Sequence, residues 1–253
     1  MARESKKRTI PWRLIFGLMV AGLVSAAMGM AAVRVRRFAL DDPQFTLTSD
    51  HKDALVVQGI RYASRAKVFR VFTPDFEHSI FSVPLAGRRR ELLAIDWIED
   101  ASVSRIWPDR LVVRIHERQP IAFVSLPTGV LLIDGHGVLL DPPVQAQFAF
   151  PVLSGIRESD SLPGRRERVR TFLRVEDDMG YLMKDISEVD VSDPDSIRIV
   201  AQVGSRALEL LVGDSDFGRR YQNFLSHYPE IEKHSPEVKL FDLRLEDRIT
   251  AKQ

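Results

Sequence analysis

From Leu14 to Val33 the chain runs for twenty residues without a charged side chain. As a helix rising about 1.5 Å per residue, such a run spans roughly 30 Å, the hydrocarbon thickness of a bilayer. It shows no polar face, so it suits neither the surface nor the core boundary of a soluble domain. Trp12 stands at one edge, where interfacial aromatic residues are favoured, and Arg34, Arg36 and Arg37 follow at the other. Ala26-Ala27 and Ala31-Ala32 offer the small residues a cleaved signal peptide would need. The apolar part of a signal peptide is usually about 7–15 residues, shorter than this run. The expectation is an uncleaved transmembrane helix over 14–33, with a tail over 1–13 and a charged linker over 34–43.

Charge supports an orientation. The first thirteen residues carry Arg3, Lys6, Lys7, Arg8 and Arg13 against Glu4, a net of +4. The remainder holds 31 basic and 34 acidic residues, a net of −3. More positive charge before the apolar run than after it favours a cytoplasmic N-terminus. A mildly acidic body argues against a nucleic-acid binder. The absence of cysteine excludes thiol catalysis, disulfides and cysteine metal sites.

Past the apolar run, Ala54 to Gly59 reads as a strand closed by glycine. Ser64 is a candidate cap for a helix to Phe72, with Ala66, Phe69 and Val71 among its apolar residues and Pro74 as its stop. A second helix is expected over 85–95, with Leu85, Leu92, Leu93 and Ile95 inward and Arg88-Arg89-Arg90 on a solvated face. Ala101, Val103 and Arg105 alternate with serines, and Leu111, Val113 and Ile115 alternate with Val112, Arg114 and His116. These two strands flank a turn at Trp107-Pro108-Asp109-Arg110. The order strand, helix, helix, strand, strand describes a small α+β module over 44–119.

After Pro120 the texture becomes β-rich. Ile121–Val124, Val130–Ile133 and Val138–Leu140 read as strands, the last two flanking an Asp134-Gly135-His136-Gly137 turn. Val152-Leu153 follows as a further short strand. A helix is predicted over 165–179, then a meander over 186–191, 197–201 and 208–212. Asp216 is placed to cap a second helix whose Phe217, Tyr221, Phe224, Leu225, Tyr228 and Ile231 fall on one stripe, read as core. Val238 to Leu245 reads as a last strand, Phe241, Leu243 and Leu245 on one face and Asp242 and Arg244 on the other.

Several of these stretches together carry a family likeness. Ser104 to Leu111 contains Trp107-Pro108 between strands, and Glu117-Arg118-Gln119-Pro120-Ile121-Ala122 follows the second of them. The hairpin over 130–141, Pro151-Val152-Leu153-Ser154-Gly155 and Phe241-Asp242-Leu243-Arg244 then occur in order. The pattern resembles the FtsQ/DivIB family of bacterial cell-division proteins, from tail and anchor through a POTRA domain to a β-rich domain. After Arg244 the likeness lapses at Leu245, Glu246 and Asp247, where the family often has an aromatic residue.

The resemblance implies an α+β fold: one transmembrane helix, a β-α-α-β-β POTRA domain over 44–119, and a β-rich domain over 120–253 with two flanking helices. It implies a non-catalytic scaffold of the inner membrane at the division septum, binding FtsB- and FtsL-like proteins and helping regulate septal peptidoglycan synthesis. Other division proteins would meet the POTRA domain. A partner strand would add to an edge formed by Leu240, Phe241, Asp242, Leu243, Arg244 and Leu245, with Asp242 and Arg244 as outward contacts. The competing reading of Asp242 and Arg244 is an ordinary surface pair.

No chemistry competes with that reading. The histidines 51, 78, 116, 136, 227 and 234 are scattered, with no zinc-protease spacing. Gly135-His136-Gly137 is a hairpin tip rather than a phosphate loop, and no nucleophile-elbow or Walker sequence occurs. No cofactor, metal or nucleic-acid partner is expected. The alternative function is a POTRA-type assembly factor for outer-membrane proteins, which usually carries several repeats where this sequence shows one.

Overall fold

The computed structural model describes residues 12–51, 53–143, 146–245 and 248–252, so most of the basic tail over 1–13 lies outside the described residues. The apolar run forms helix α1, Trp12–Asp41, which is long and apolar enough to cross a membrane. The helix continues through 34–41, where the charge pattern suggests a linker. The reason is local: arginine, alanine and leucine are good helix formers, and no breaker occurs before Pro43. There Asp42 accepts a hydrogen bond from the Gln44 N–H at 3.0 Å, starting a single 3-10 turn over Pro43–Phe45.

Two compact units emerge. The first takes residues 1–60, 64–95 and 100–116, and the second takes 61–63, 96–99 and 117–253. In the first, strands β1 (Leu55–Gln58), β2 (Ile98–Ile106) and β3 (Arg110–Glu117) make a sheet of order β1-β3-β2, with β1 parallel to β3. Gly59 has φ +84°, and a Cβ there would strike the Ile115 carbonyl, so the strand ends on the one residue that fits. Helix α2 (Arg65–Phe72) begins where expected, with Ser64 Oγ accepting from the Lys67 N–H at 3.3 Å. Its buried residues are Val68 and Phe72, while Phe69 is exposed.

Helix α3 (Leu85–Leu93) departs from expectation at Arg88. This side chain is not solvated: its Nε and Nη2 grip both oxygens of buried Asp75 at 2.6 and 2.9 Å. The bond to Asp75 raises the Arg88 pKa. The cause lies in helical spacing, because Arg88 sits one turn before buried Leu92 on the same inward face. Arg89 stays exposed, as expected, and lies along the surface, donating to the Ala101 carbonyl at 2.8 Å and to Asp100 at 2.6 Å, whose carboxyl it holds below its usual range. Only Leu92 of the four residues expected inward is fully buried.

The second unit is built on a nine-stranded sheet of order β12-β11-β10-β9-β8-β7-β4-β5-β6. Its strands are β4 (Pro120–Leu126), β5 (Gly129–Asp134), β6 (Leu139–Leu140), β7 (Val152–Ser154), β8 (Ile186–Asp190), β9 (Ile197–Val203), β10 (Arg206–Gly213), β11 (Leu240–Asp242) and β12 (Thr250–Lys252). Helices α4 (Leu162–Met179) and α5 (Phe217–His234) supply the other half of the core. Val169, Phe172, Val175 and Met179 of α4 are buried in it, and of the stripe expected on α5 Phe217, Tyr221, Phe224 and Tyr228 are buried while Leu225 and Ile231 are partly so. Helix α4 starts three residues earlier than predicted, because Ser161 caps it and Pro163 is tolerated in a first turn. Asp216 does not cap α5. It takes φ +53° and makes no capping bond; Asp178 of α4 accepts from the Gly218 N–H at 2.9 Å instead.

The Glu117–Ala122 run has an architectural role within this unit. Glu117 accepts hydrogen bonds from the backbone N–H groups of Arg61, Tyr62 and Ala63 at 2.9, 2.9 and 2.7 Å. Arg118 donates to buried Asp134 at 3.0 Å and to the Asp96 carbonyl at 2.9 Å. The other Asp134 oxygen accepts from the N–H groups of His136 and Val138 at 2.9 and 2.7 Å, which shapes the hairpin turn. Pro120 lies opposite Asp134 at the start of β4, where a missing N–H is tolerable, and Ala122 is buried.

Candidate interaction site

One end of the large sheet gathers the residues the sequence nominated. Leu240, Phe241 and Asp242 form β11, parallel to β10 with Leu210 opposite Phe241. On its other side β12 runs antiparallel, with Ala251 opposite Phe241 and Thr250 opposite Asp242. The expectation that Leu240 to Leu245 form the open edge is therefore corrected: β11 is laddered on both sides, and β12 stands at the end of the sheet. Its physical cause is the backbone's demand for hydrogen bonds, which residues 250–252 meet by folding back onto β11. The signal for β12 was weak, a three-residue strand whose only β-branched residue is Thr250, too short to show alternation. The strand expected over 238–245 shortens because the Arg244 N–H turns onto its neighbour's carboxylate, Asp242 Oδ1, at 3.2 Å.

Each nominated side chain has a definite place. Phe241 is buried with its ring 5.2 Å from Phe224 and 6.2 Å from Tyr228. Leu243 is buried and its N–H donates to the Leu211 carbonyl at 2.8 Å. Asp242 and Arg244, two apart and so on one face, grip each other through two bonds of 2.6 and 2.8 Å. That bond and charge raise the Arg244 pKa, and Arg244 also reaches Ser196 Oγ at 3.4 Å. Leu240 is half-buried and Leu245 exposed.

Beside this end lies a cleft of about 330 Å³, lined by Arg219, Arg220 and Asn223 of α5 and by Leu243, Leu245 and Ile249. Gly213, at φ +80°, lets the Arg220 guanidinium lie across its backbone and donate to the Val212 carbonyl; a side chain there would collide with it. The Arg220 Nε is buried with no hydrogen-bond partner among the described residues. Arg219 pairs with Asp216 at 3.3 Å. An aliphatic wall with guanidinium groups at its rim, next to a strand edge, can take alternate side chains of an extended peptide. Behind it Tyr221 is wholly buried, and burial with the charge of Asp185 pushes its phenol up to about 12.

Comparison with known proteins fixes the family. The family model for the FtsQ-type POTRA domain matches residues 53–118, and that for the C-terminal domain of cell division protein FtsQ/DivIB matches residues 122–244. Cell division protein FtsQ of Koribacter versatilis (strain Ellin345) is 31% identical over 243 residues, spanning 94% of this chain and 69% of that protein. The chain belongs to the FtsQ/DivIB family of cell division proteins. A second FtsQ, from Syntrophotalea carbinolica, is 25% identical over 259 residues, covering 98% of this chain and 90% of its own. The major extracytoplasmic domain of DivIB from Geobacillus stearothermophilus aligns with 49% of this chain and 99% of its own at 20% identity and a TM-score of 0.26. The match to the FtsQ/DivIB C-terminal domain stops at Arg244, so β12 lies beyond it, in the region where the motif likeness also lapses.

Proposed function

We propose that this FtsQ/DivIB protein is a non-catalytic scaffold that takes an extended segment of an FtsB- or FtsL-like partner onto the outer edge of β12. The carrying observation is that the nine-stranded sheet ends on β12, which among the described residues has no strand on its outer side. Ladder hydrogen bonds from that edge would supply affinity, and the cleft beside it would supply specificity. Leu243 and Leu245 keep a part in this scheme as cleft wall, and Asp242 and Arg244 as a mutually braced surface pair. Helix α1 anchors the chain in the inner membrane at the septum. The excess of basic residues before the apolar run favours this orientation, with a cytoplasmic N-terminus and both units outside. The first unit meets other division proteins, and the assembly helps regulate septal peptidoglycan synthesis.

The test is co-purification of tagged full-length protein from its own cells, with bound proteins identified by mass spectrometry. The expected result is FtsB- and FtsL-like proteins. Outer-membrane assembly components without division proteins would overturn the reading.

A further inference from the structure

We propose that the tip of the β2–β3 hairpin, Ile106 and Trp107, rests in the headgroup region of the bilayer, in an aromatic collar with Phe38 and Phe81. This rests on the reading that α1 crosses that bilayer. Trp107 leaves 67% of its surface open and Ile106 46%, a large apolar exposure at the tip of a small α+β unit. Trp107 is linked to α1 by a chain of ring contacts. Phe38, on α1, lies 5.6 Å edge-to-face from Phe45, which lies 5.2 Å from Phe81 and 5.6 Å from Trp107; Phe81 and Trp107 are 5.4 Å apart.

Helix geometry sets the depth. Val33 is the last residue of the uncharged run, and Phe38 follows five residues later, about 7.5 Å further along the axis. The interfacial layer on each side of the hydrocarbon is about 5–8 Å thick, so Phe38 falls at its outer part. Trp107 is two ring contacts from there. Tilt of α1, ordinary for a transmembrane helix, brings one side of such a collar deeper. Arg34, Arg36 and Arg37 lie between the apolar run and the collar, where guanidinium groups meet lipid phosphates. Trp12 marks the other end of the run, so the collar completes a pair of aromatic belts, the second supplied partly by a folded unit.

The collar is braced rather than loosely attached. Ser79 Oγ, in a buried residue, donates to the Ala39 carbonyl of α1 at 2.6 Å, satisfying one of the orphan acceptors at the helix end. The Ile80 N–H donates to the Phe45 carbonyl at 2.8 Å. Arg105, just before the hairpin tip, donates to the carbonyls of Ile80 and Val83 at 2.6 and 2.7 Å, which holds the segment carrying Phe81. Helix end, 79–83 segment and hairpin tip are thereby joined, so the lipid contact would set the tilt of the first unit on the membrane.

The native chain has no cysteine, so single labels can be placed cleanly. Full-length protein carrying Ile106→Cys or Val24→Cys is labelled with a fluorophore and reconstituted into phosphatidylethanolamine–phosphatidylglycerol vesicles. Quenching by a headgroup-borne nitroxide lipid is compared with quenching by aqueous iodide. The expected result at position 106 is strong quenching by the headgroup nitroxide and several-fold reduced access to iodide. At position 24 it is quenching only by a nitroxide deep in the acyl chain. Free iodide access at 106 with position 24 still buried in lipid would overturn the inference and leave the anchor standing. Iodide access at position 24 would overturn the anchor reading and the inference with it. Circular dichroism of Trp107→Ala, expected to match the native chain, separates lipid contact from a folding role, and a lost spectrum would overturn the assignment of Trp107 as a surface contact.

Discussion

Arg118 and Arg244 are both held by an aspartate, and each lies in a run of sequence that carries the family likeness. Their surroundings part them. Arg118 is 18% open and its partner Asp134 is buried, with the second carboxylate oxygen spent on two backbone donors. Arg244 is 43% open, its partner is two residues away on the same face, and an unladdered strand edge lies nearby. In the first region the polar groups are consumed inside the unit, so the run from Glu117 to Ala122 specifies architecture. In the second the pair braces itself while β12, laddered to β11 on its inner side, has no strand on its outer side among the described residues. Two motifs of equal prominence in sequence thus serve different ends, and the difference is visible only in what each polar group has left to offer.

That contrast can be broken most forcefully at Arg118. Arg118→Ala leaves a buried carboxylate without its counter-charge, and unfolding of the second unit in detergent is expected to lose about 3–5 kcal/mol. A loss below about 1 kcal/mol would remove the architectural reading. The next effect concerns the core behind the edge. The Tyr221 phenol is raised from its ordinary value to about 12, so the folded state holds its proton more tightly than the unfolded state. Its contribution is complete below about pH 10 and is lost as pH rises toward 12, up to about 2–3 kcal/mol. Denaturation midpoints of native and Tyr221→Phe protein across pH 9–12 should show the smaller decline in the variant.

Proline at 250 and, separately, at 251 probes the edge itself. Adjacent residues of a strand direct their N–H groups to opposite sides, so one of the two variants removes an outward donor while sparing the ladder to β11. At least a tenfold loss of partner affinity is expected for that variant with the fold intact, read by titration calorimetry against the purified partner segment. The smallest effect is at the pair of open Arg244 and half-buried Asp242, which are two residues apart: Asp242→Asn should change stability by less than about 1 kcal/mol. A loss as large as that of Arg118→Ala would erase the distinction between the two regions.

Much of this was legible because strong periodic signals dominate the regions concerned. The aromatic stripe of α5 could only be a core face, and Ser64 announced the start of α2. What escaped was decided by tertiary partners. Arg88 reads as one of three surface arginines until Asp75, thirteen residues away, is seen buried beneath it. Asp216 has the composition of a cap, but Asp178 from another helix does the capping. The pattern points to an edge one strand too early because Phe241 to Leu245 alternates cleanly, whereas Thr250–Lys252 is too short to alternate at all. The sequence pattern thus points to the β11 end of the sheet and misses β12, the strand that ends it.

The most direct test places a photo-crosslinking residue at Thr250 in β12 or at Leu139 in β6, the two ends of the nine-stranded sheet, in full-length protein in living cells. The account predicts an FtsB- or FtsL-like adduct from position 250 and none from 139. An adduct from 139 alone, or equal yields from both, would contradict it.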